Sequence, residues 1–413
     1  MRVIHINNSD NYGGAARVAF RIHHCLSNAG VDSRMWVNYA ATCDWTVEGP
    51  VSVLQKAMIY IRPHLVSPLR NALRTHNQNM HSPAVLPSRW VRRINESDAD
   101  IVHLHWVQDE MLSIADIGRI KKPIVWTLHD MWAFCGAEHY TDEFRWREGY
   151  HQNNRPQYES GLDLNRWVWK RKCKHWKKPM HIVTSSRWLA GCAQESALMR
   201  DWPVSVIQNP IETEQWSPIE QSLARELLGL PKDVPLLLFG AMGGTKDPRK
   251  GFDLLLASLE QLRNKAQIRE LELVVFGQCA PKNIPDLGFP VHYTGHLHDV
   301  LSLRALYSAA DAFVLPSRLD NLPSTGIESL ACGTAVIAFN IGGIPDMIKH
   351  KQNGYIARAF DTLDLSNGIK WVLTKRKISH INNSVRESSV DKFAYATVAS
   401  AYKEVYSNAL TSV

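Results

Sequence analysis

A single grammar, a short apolar run followed by a turn and then a helical pattern, is written twice along this chain, and the two copies are separated by the breaker Asn209-Pro210. In the first half the β-type runs are residues 3–6, 101–104, 124–128 and 181–184, with a polar glycine turn, Asn11-Tyr12-Gly13-Gly14, opening a helical pattern over 15–26. The second half starts afresh with a run at 235–240, a helix at 252–264, a run at 271–276 and a helix at 300–309. Runs at 311–316 and 335–339 then bracket a helix over 324–332, which Gly333 ends. Strands alternating with helices predict parallel sheets covered on both faces, so the fold class is α/β with two Rossmann-like domains, 1–208 and 209–392. In the last segment, 393–413, Val398, Ala401, Tyr402 and Val405 stand at i, i+3, i+4 and i+7, an amphipathic helix that must pack on something.

Composition narrows the class without naming a partner. Hydrophobic residues at 45% and charged residues at 21% exclude wholesale disorder, and 413 residues suffice for two real cores. Lys plus Arg (47) exceed Asp plus Glu (40), a balance that favours anions but does not separate phosphorylated small molecules from nucleic acid or an anionic membrane. Seven scattered cysteines, never in a C-x-x-C pair, argue against a structural zinc site or disulfide framework and for a reducing compartment. The opening apolar run turns polar at Asn7-Asn8-Ser9-Asp10, too early for a signal peptide, and no stretch approaches 18 apolar residues. The expected location is cytoplasmic, with any membrane contact peripheral.

The most informative stretch runs from Pro316 to Ala338. Asp320 lies in a loop and Glu328 inside the helix that the loop feeds. A loop entering a helix presents unpaired N–H groups at Ser324, Thr325 and Gly326, which together with the helix dipole suit a diphosphate. Glu328, one turn further in, suits the vicinal hydroxyls of a ribose, and Asp320 suits a sugar beyond the phosphates. Read from the residues alone, a capped helix with two solvated acids is an equal alternative.

The combination Asp320-Asn321-Leu322-Pro323, Glu328, Ala331-Cys332-Gly333 and Gly342-Gly343-Ile344-Pro345-Asp346 resembles the E-x7-E region of retaining GT-B glycosyltransferases of family 4. The likeness is to a subgroup from bacterial exopolysaccharide, colanic-acid and O-antigen clusters. Asp320 stands where the family has its first glutamate, with a shorter reach toward the sugar. The resemblance implies that Asp320 contacts donor-sugar hydroxyls, that Asn321, Leu322, Pro323, Ser324, Thr325 and Gly326 hold the diphosphate, and that Glu328 holds the ribose. It also implies two facing Rossmann-like domains, with the C-terminal helix crossing back to the first.

Lys250-Gly251, in a basic turn opening a helix, matches the family position at which a lysine neutralises the leaving diphosphate. Breaking an anomeric C–O bond leaves negative charge on the β-phosphate, and a preorganised cation stabilises it. Gly244 occupies the place of the family's nearby arginine, leaving Lys246 or Arg249 as its substitute. Gly277, in Phe276-Gly277-Gln278, and Gly295-His296-Leu297 fall where family members border the base and ribose. Gly13 and Gly14 resemble the family's first glycine loop, where a Cβ would keep the backbone from donor and acceptor. In Thr127-Leu128-His129-Asp130, His129 takes the position that faces the donor sugar, with Asp130 and His105 on the acceptor side. His103 and His105 share a face only while their strand persists.

Two segments stay outside these motifs. Residues 51–95 read as an inserted helical hairpin or loop; Leu54, Met58, Ile59, Ile61 and Leu65 belong either to a helix packed on the domain or to an exposed surface facing an acceptor or a membrane. Residues 166–178 hold seven Lys/Arg and no acid, interleaved with Trp167, Trp169 and Trp176. They read either as a contact with an anionic membrane or as a helix whose tryptophans are core residues; nucleic acid is not expected, since no recognition motif accompanies the charge.

The function expected from the resemblance is retaining transfer of a sugar from a nucleoside-diphosphate sugar to a glycan or polyprenyl-diphosphate-linked oligosaccharide. No metal or other cofactor is expected. The alternatives are an epimerase or a non-catalytic nucleotide-sugar-binding protein on the same scaffold.

Overall fold

A computed structural model describes residues 1–240, 247–264, 268, 270–281, 286–297, 299–376 and 381–411. The chain forms two compact units, Met1–Gln208 with Val398–Val413, and Asn209–Thr397. The return to the first unit falls at Val398 and not at 393, because Phe393 is tied into the second unit: Ile211 N–H donates to its carbonyl at 2.8 Å and its ring is buried there.

The first unit is built on the parallel strands β1 (Arg2–Ser9), β2 (Asp32–Tyr39), β3 (Val47–Glu48), β5 (Ile101–Leu104), β6 (Ile124–Leu128), β8 (His181–Thr184) and β9 (Val204–Val206), in the order β3-β2-β1-β5-β6-β8-β9. Outside that sheet, β4 (Leu73–Arg74) and β7 (Ser160–Gly161) pair antiparallel. The second unit carries β10 (Leu236–Gly240), β11 (Glu272–Phe276), β12 (Val291–Gly295), β13 (Ala312–Leu315), β14 (Val336–Phe339) and β15 (Gly354–Ala357), parallel in the order β12-β11-β10-β13-β14-β15. The central strands β5, β10, β13 and β14 are buried at every residue, as expected where helices cover both faces of a parallel sheet.

Counted from β10, the second unit's order is 3-2-1-4-5-6, and the order reverses between β10 and β13. In the first unit the reversal lies between β1 and β5. Crevices beyond the carboxyl ends of strands at such switch points are where open α/β sheets bind ligands. The turns after β1, β5, β10 and β13 carry Gly13, His105, Lys250 and Asp320.

The C-terminal helix Tyr395–Thr411 completes the first unit's core, burying Val398, Tyr402, Val405 and Tyr406. The basic stretch 166–178 forms the Leu164–His175 helix and serves that core too. Lys172 is fully buried, its ammonium donating to the carbonyls of Cys135 at 3.0 Å, Gly136 at 2.8 Å and Trp132. It also lies 3.8 Å from the Trp132 ring centre. Burial lowers its pKa to about 7. Trp176 is buried and Trp169 half-buried against the core, while Trp167 is 38% exposed, so two of the three tryptophans of this segment serve the core. Among the described residues no helix is long and apolar enough to cross a membrane.

Gly251 lies under a close backbone approach. It sits at φ +67°, and a Cβ there would lie 1.9 Å from the carbonyl oxygen of Pro316. Gly191, inside the Arg187–Glu195 helix, has nothing within 4 Å of a Cβ. Gly251→Ala is therefore expected to lower the unfolding free energy by about 1–3 kcal/mol, and Gly191→Ala to leave it unchanged or raise it by up to about 1 kcal/mol, both read from urea unfolding midpoints.

Candidate active site

In the second unit the two motifs that follow β10 and β13 meet. Lys250 Nζ lies 2.6 Å from Asp320 Oδ2, and Arg249 Nη1 lies 3.5 Å from the same oxygen. The contact is stitched through the backbone: Arg318 N–H donates to Arg249 O at 2.8 Å, and Arg249 Nη1 to Leu319 O at 3.1 Å. Arg318 also spans to Asp253 and to Pro248 O. Burial alone would raise the Asp320 carboxyl, but Lys250 and Arg249 outweigh it and hold the pKa below the ordinary carboxylate value. On its other side the Asp320 carbonyl accepts from Gly343 N–H at 3.1 Å, while Gly342, at φ +51°, passes so close that a Cβ would lie 2.1 Å from that oxygen. The Gly342-Gly343 pair of the motif thus braces the acid loop.

From this loop the chain enters the Ser324–Ala331 helix with Pro323 as N-cap, and no side chain caps it. Asn321 and Leu322 are buried; Asn209 Nδ2 donates to Leu322 O at 2.9 Å, fixing the approach to the helix. Ser324 and Thr325 are half-exposed at the helix start. Gly326 departs from the expected role: its N–H is bonded to Pro323 O at 3.0 Å, and it packs beneath Met347 and Leu315. An anion at this helix start is left with Ser324 and Thr325. Glu328 is buried at 2% exposure, and its Oε2 accepts from Tyr307 OH at 3.1 Å. The capped helix with two solvated acids is thereby set aside, since both acids are buried and neither caps the helix. Gly277 ends β11 at φ +81° and donates to Gly295 O at 2.8 Å, joining β11 to β12 at their carboxyl ends. Lys246 lies outside the described residues, as does Gly244; Arg249 is the described candidate for the missing arginine.

In the first unit, Gly13 is the N-cap of the Gly14–Asn28 helix at φ +95°, ψ 167°, a conformation open to glycine. A Cβ at Gly13 or Gly14 meets no protein atom within 4 Å, so it is the backbone shape at Gly13, and not crowding by the protein, that calls for glycine. His129 ends a line of imidazoles that no motif announced. Its Nε2 lies 3.4 Å from His105 Nδ1, and His105 Nε2 lies 2.9 Å from His5 Nδ1. His103 stacks on His105 at 4.1 Å between ring centres, so the two stay on one face past the end of β5; it bonds Tyr406 OH and Thr127 Oγ1, both at 2.7 Å. Burial drives His5, His103 and His105 well below the usual imidazole pKa, and lowers His129 and His23 to about 4.

All three imidazoles of the line are therefore neutral near pH 7, each with one N–H and one lone pair, and the line is polarised in one direction. His5 Nε2 is buried with no hydrogen-bond partner among the described residues. An orphaned lone pair costs less than an orphaned N–H. That preference makes His5 Nδ1 and His105 Nδ1 the donors along the line and leaves the proton of His129 on Nδ1, a donor suited to a hydroxyl or an anionic oxygen.

Asp130 is engaged by its own unit. It accepts from His139 Nδ1 at 2.7 Å, from Trp132 N–H at 2.9 Å and from Trp106 Nε1 at 3.2 Å. Burial would raise its pKa, but His139 and these donors hold it below the ordinary value. His139 Nε2 in turn meets Ser82 Oγ at 2.8 Å, with Ser82 and His139 both buried, a bracing network for the His129 loop. Sequence reasoning missed His5, Tyr307, Arg318 and His139. His5 had a signal, an imidazole in the middle of an otherwise apolar first strand; Arg318 lies two residues before Asp320 in the most informative stretch, while Tyr307 and His139 stand in no motif.

Comparison with known proteins accords with this architecture. Residues 12–215 match the model described as Glycosyltransferase Family 4, and residues 236–375 the model described as Glycosyl transferases group 1. A D-inositol 3-phosphate glycosyltransferase 2 of Catenulispora acidiphila is 26% identical over 226 residues, 50% of this chain and 51% of that protein. The chain spans about half the length of the curated relatives it matches. Among solved structures, sucrose-phosphate synthase from Thermosynechococcus elongatus superposes with a TM-score of 0.65 at 16% identity, each chain covered in full. Anabaena Alr3699/HepE in complex with UDP-glucose superposes with 0.67 at 14% identity, over 99% of this chain and 100% of that one. The fold is GT-B, and the chain matches the family 4 glycosyltransferase model in its first half and the group 1 model in its second.

Two outcomes test the electrostatics. A histidine whose folded pKa lies below its unfolded value of 6.5 stays neutral while the unfolded chain takes up a proton, so the fold weakens as pH drops from about 6.5 toward 4. With eight such histidines among the described residues, the five above and His81, His175 and His181, the melting temperature is expected to fall steeply across that window, and His5→Phe to make the fall shallower. In a double-mutant cycle in urea, Lys250→Ala alone is expected to cost about 1–3 kcal/mol by leaving the Asp320 carboxylate short of a partner, with part of the loss regained in Lys250→Ala/Asp320→Asn.

Proposed function

We propose that this chain is a retaining, metal-independent glycosyltransferase, moving a sugar from a nucleoside-diphosphate sugar to a hydroxyl of a glycan or polyprenyl-diphosphate-linked oligosaccharide. Its setting is bacterial surface polysaccharide synthesis, in the cytoplasm at the inner face of the membrane. The observation that carries the reading is the convergence of Lys250, Asp320 and the start of the Ser324–Ala331 helix beyond the switch point between β10 and β13.

Asp320 holds Lys250 in place, and an arriving diphosphate takes a share of the three donors on Nζ. The Asp320 carboxylate then accepts from hydroxyls of the donor sugar, while Ser324 and Thr325 N–H groups meet phosphate oxygens and Glu328 accepts from the ribose. As the anomeric carbon–oxygen bond to the β-phosphate breaks, the charge left on that phosphate is offset by Lys250 and Arg249. The acceptor hydroxyl enters on the same face; its oxygen bonds the anomeric carbon and its proton passes to the departing phosphate oxygen. Configuration is retained without a protein nucleophile. His129 offers its Nδ1 proton to a substrate hydroxyl at the first unit's own switch point.

The inositol 3-phosphate named in the Catenulispora relative supports a second acceptor class, a phosphorylated polyol. An epimerase or a non-catalytic nucleotide-sugar binder on the same scaffold makes no transfer product. The chain is expected to release free nucleoside diphosphate slowly from one donor in a panel of nucleotide sugars, and Lys250→Ala to abolish that release. Glu328→Ala removes hydrogen bonds worth roughly 1.5–3 kcal/mol each and is expected to weaken donor binding about tenfold or more; unchanged donor affinity would sink the ribose assignment.

A further inference from the structure

The Val53–Leu65 helix is turned the wrong way out for a helix that packs on its own domain. It is well formed, with Ser52 and Gln55 making a capping box at its start, yet none of its residues is buried. At 3.6 residues per turn, Val53, Leu54, Ala57, Met58, Tyr60, Ile61 and Leu65 fall on one face about 160° wide. That face looks into solvent: Val53 is 84% exposed, Leu54 72%, Tyr60 68% and Leu65 59%.

The opposite face carries the anchor: Ile59 and Pro63 are half-buried there, and Arg62 supplies the polar grip. Arg62 Nε donates to Glu110 O at 2.8 Å, Nη2 to Leu86 O at 2.8 Å and Nη1 to Pro87 O at 3.0 Å. An arginine fork gripping three backbone carbonyls fixes the rotation of the helix, so the apolar stripe is held outward by the fold itself. Val51, 92% exposed, extends the stripe past the helix start. Surfaces of this kind mark an interaction site.

We propose that this face is where the chain lies on a membrane bearing anionic headgroups. Charge names the occupant. No acidic residue stands between Glu48 and Glu96, while Lys56, Arg70, Arg74 and Arg89 lie in that span beside the locked Arg62. An outward apolar stripe in an acid-free, basic stretch is the pattern of a helix lying in the interface plane, its side chains among the acyl chains and its cations at the headgroups. The 166–178 segment, which carries more charge, is tied to the core through Lys172 and Trp176 and does not offer such a face. The proposal extends the reading of a lipid-linked acceptor, and its test does not depend on turnover.

The full chain is floated with vesicles of phosphatidylglycerol and phosphatidylethanolamine, and separately with vesicles of phosphatidylcholine. Binding is expected to the first and to weaken at high salt, and each of Leu54→Asp and Ile61→Asp is expected to reduce it about tenfold or more, the scale of one large apolar side chain leaving the membrane. Leu54→Gln and Ile61→Gln, which add no charge, are expected to reduce it as well, with melting temperatures unchanged because both positions are exposed. A wild type that floats with neither vesicle overturns the proposal, and so do variants that float as well as the wild type. A wild-type dimer that Leu54→Asp converts to a monomer overturns it too, in favour of a second copy on this face. Donor hydrolysis without vesicles is measured alongside: flotation without hydrolysis sinks the transferase reading and keeps the membrane face, and hydrolysis without flotation does the reverse.

Discussion

The ion pair between Lys250 and Asp320 is the constraint on which the second unit's site depends. The two residues belong to turns seventy positions apart, after neighbouring strands on either side of the sheet's reversal. A buried carboxylate is costly without a cation, so the acid loop takes its shape only where the lysine turn meets it. Gly251 lets that turn come within contact of Pro316 O, and Gly342 lets the far side of the loop close over Asp320 O. Each glycine is conserving a close approach between backbones and not a freedom to move. The Ser324–Ala331 helix inherits its position from this arrangement, since the loop that ends at Asp320 runs directly into it.

The first unit rests on a different device. Its switch point is filled from beneath by imidazoles that burial keeps neutral, and the C-terminal helix closes the set by placing Tyr402 against Thr127 and Tyr406 against His103. A neutral imidazole offers a donor and an acceptor in fixed directions, so hydrogen-bonded histidines transmit orientation along their length. His129 at the outer end is held by groups that never reach the surface. Asp130 and His139 brace the same loop from the other side, which is why the carboxylate next to His129 is occupied by its own unit.

How much of this was legible before the structure follows from the range of each interaction. The alternation of runs and turns specifies parallel sheets because it is local, and the breaker at Asn209-Pro210 marks the division for the same reason. Lys250, Asp320 and Glu328 were legible as motif positions, though not the direct contact between the first two, which depends on how β10 and β13 pair. Gly326 was misjudged because its N–H satisfies Pro323 O, a detail of one helical turn. The histidine line was illegible because His5 and His105 are joined only by the β1–β5 pairing. Lys172 is one cation of a basic run and Arg62 stands in no motif; each is held by carbonyls contributed from distant loops, and no pattern in the sequence signals a carbonyl cage.

The discontinuity of the first unit has a consequence for how the chain comes to be folded. Its core is left open on one side until Tyr402 and Tyr406 arrive, nearly two hundred residues after the rest of it. The second unit, one unbroken stretch from Asn209 to Thr397, has all its strands in hand earlier. During vectorial synthesis the domain begun first is thus finished last. Until then the polar rims of His103 and Thr127 face an unfilled groove, a vulnerable interval for chaperones to cover.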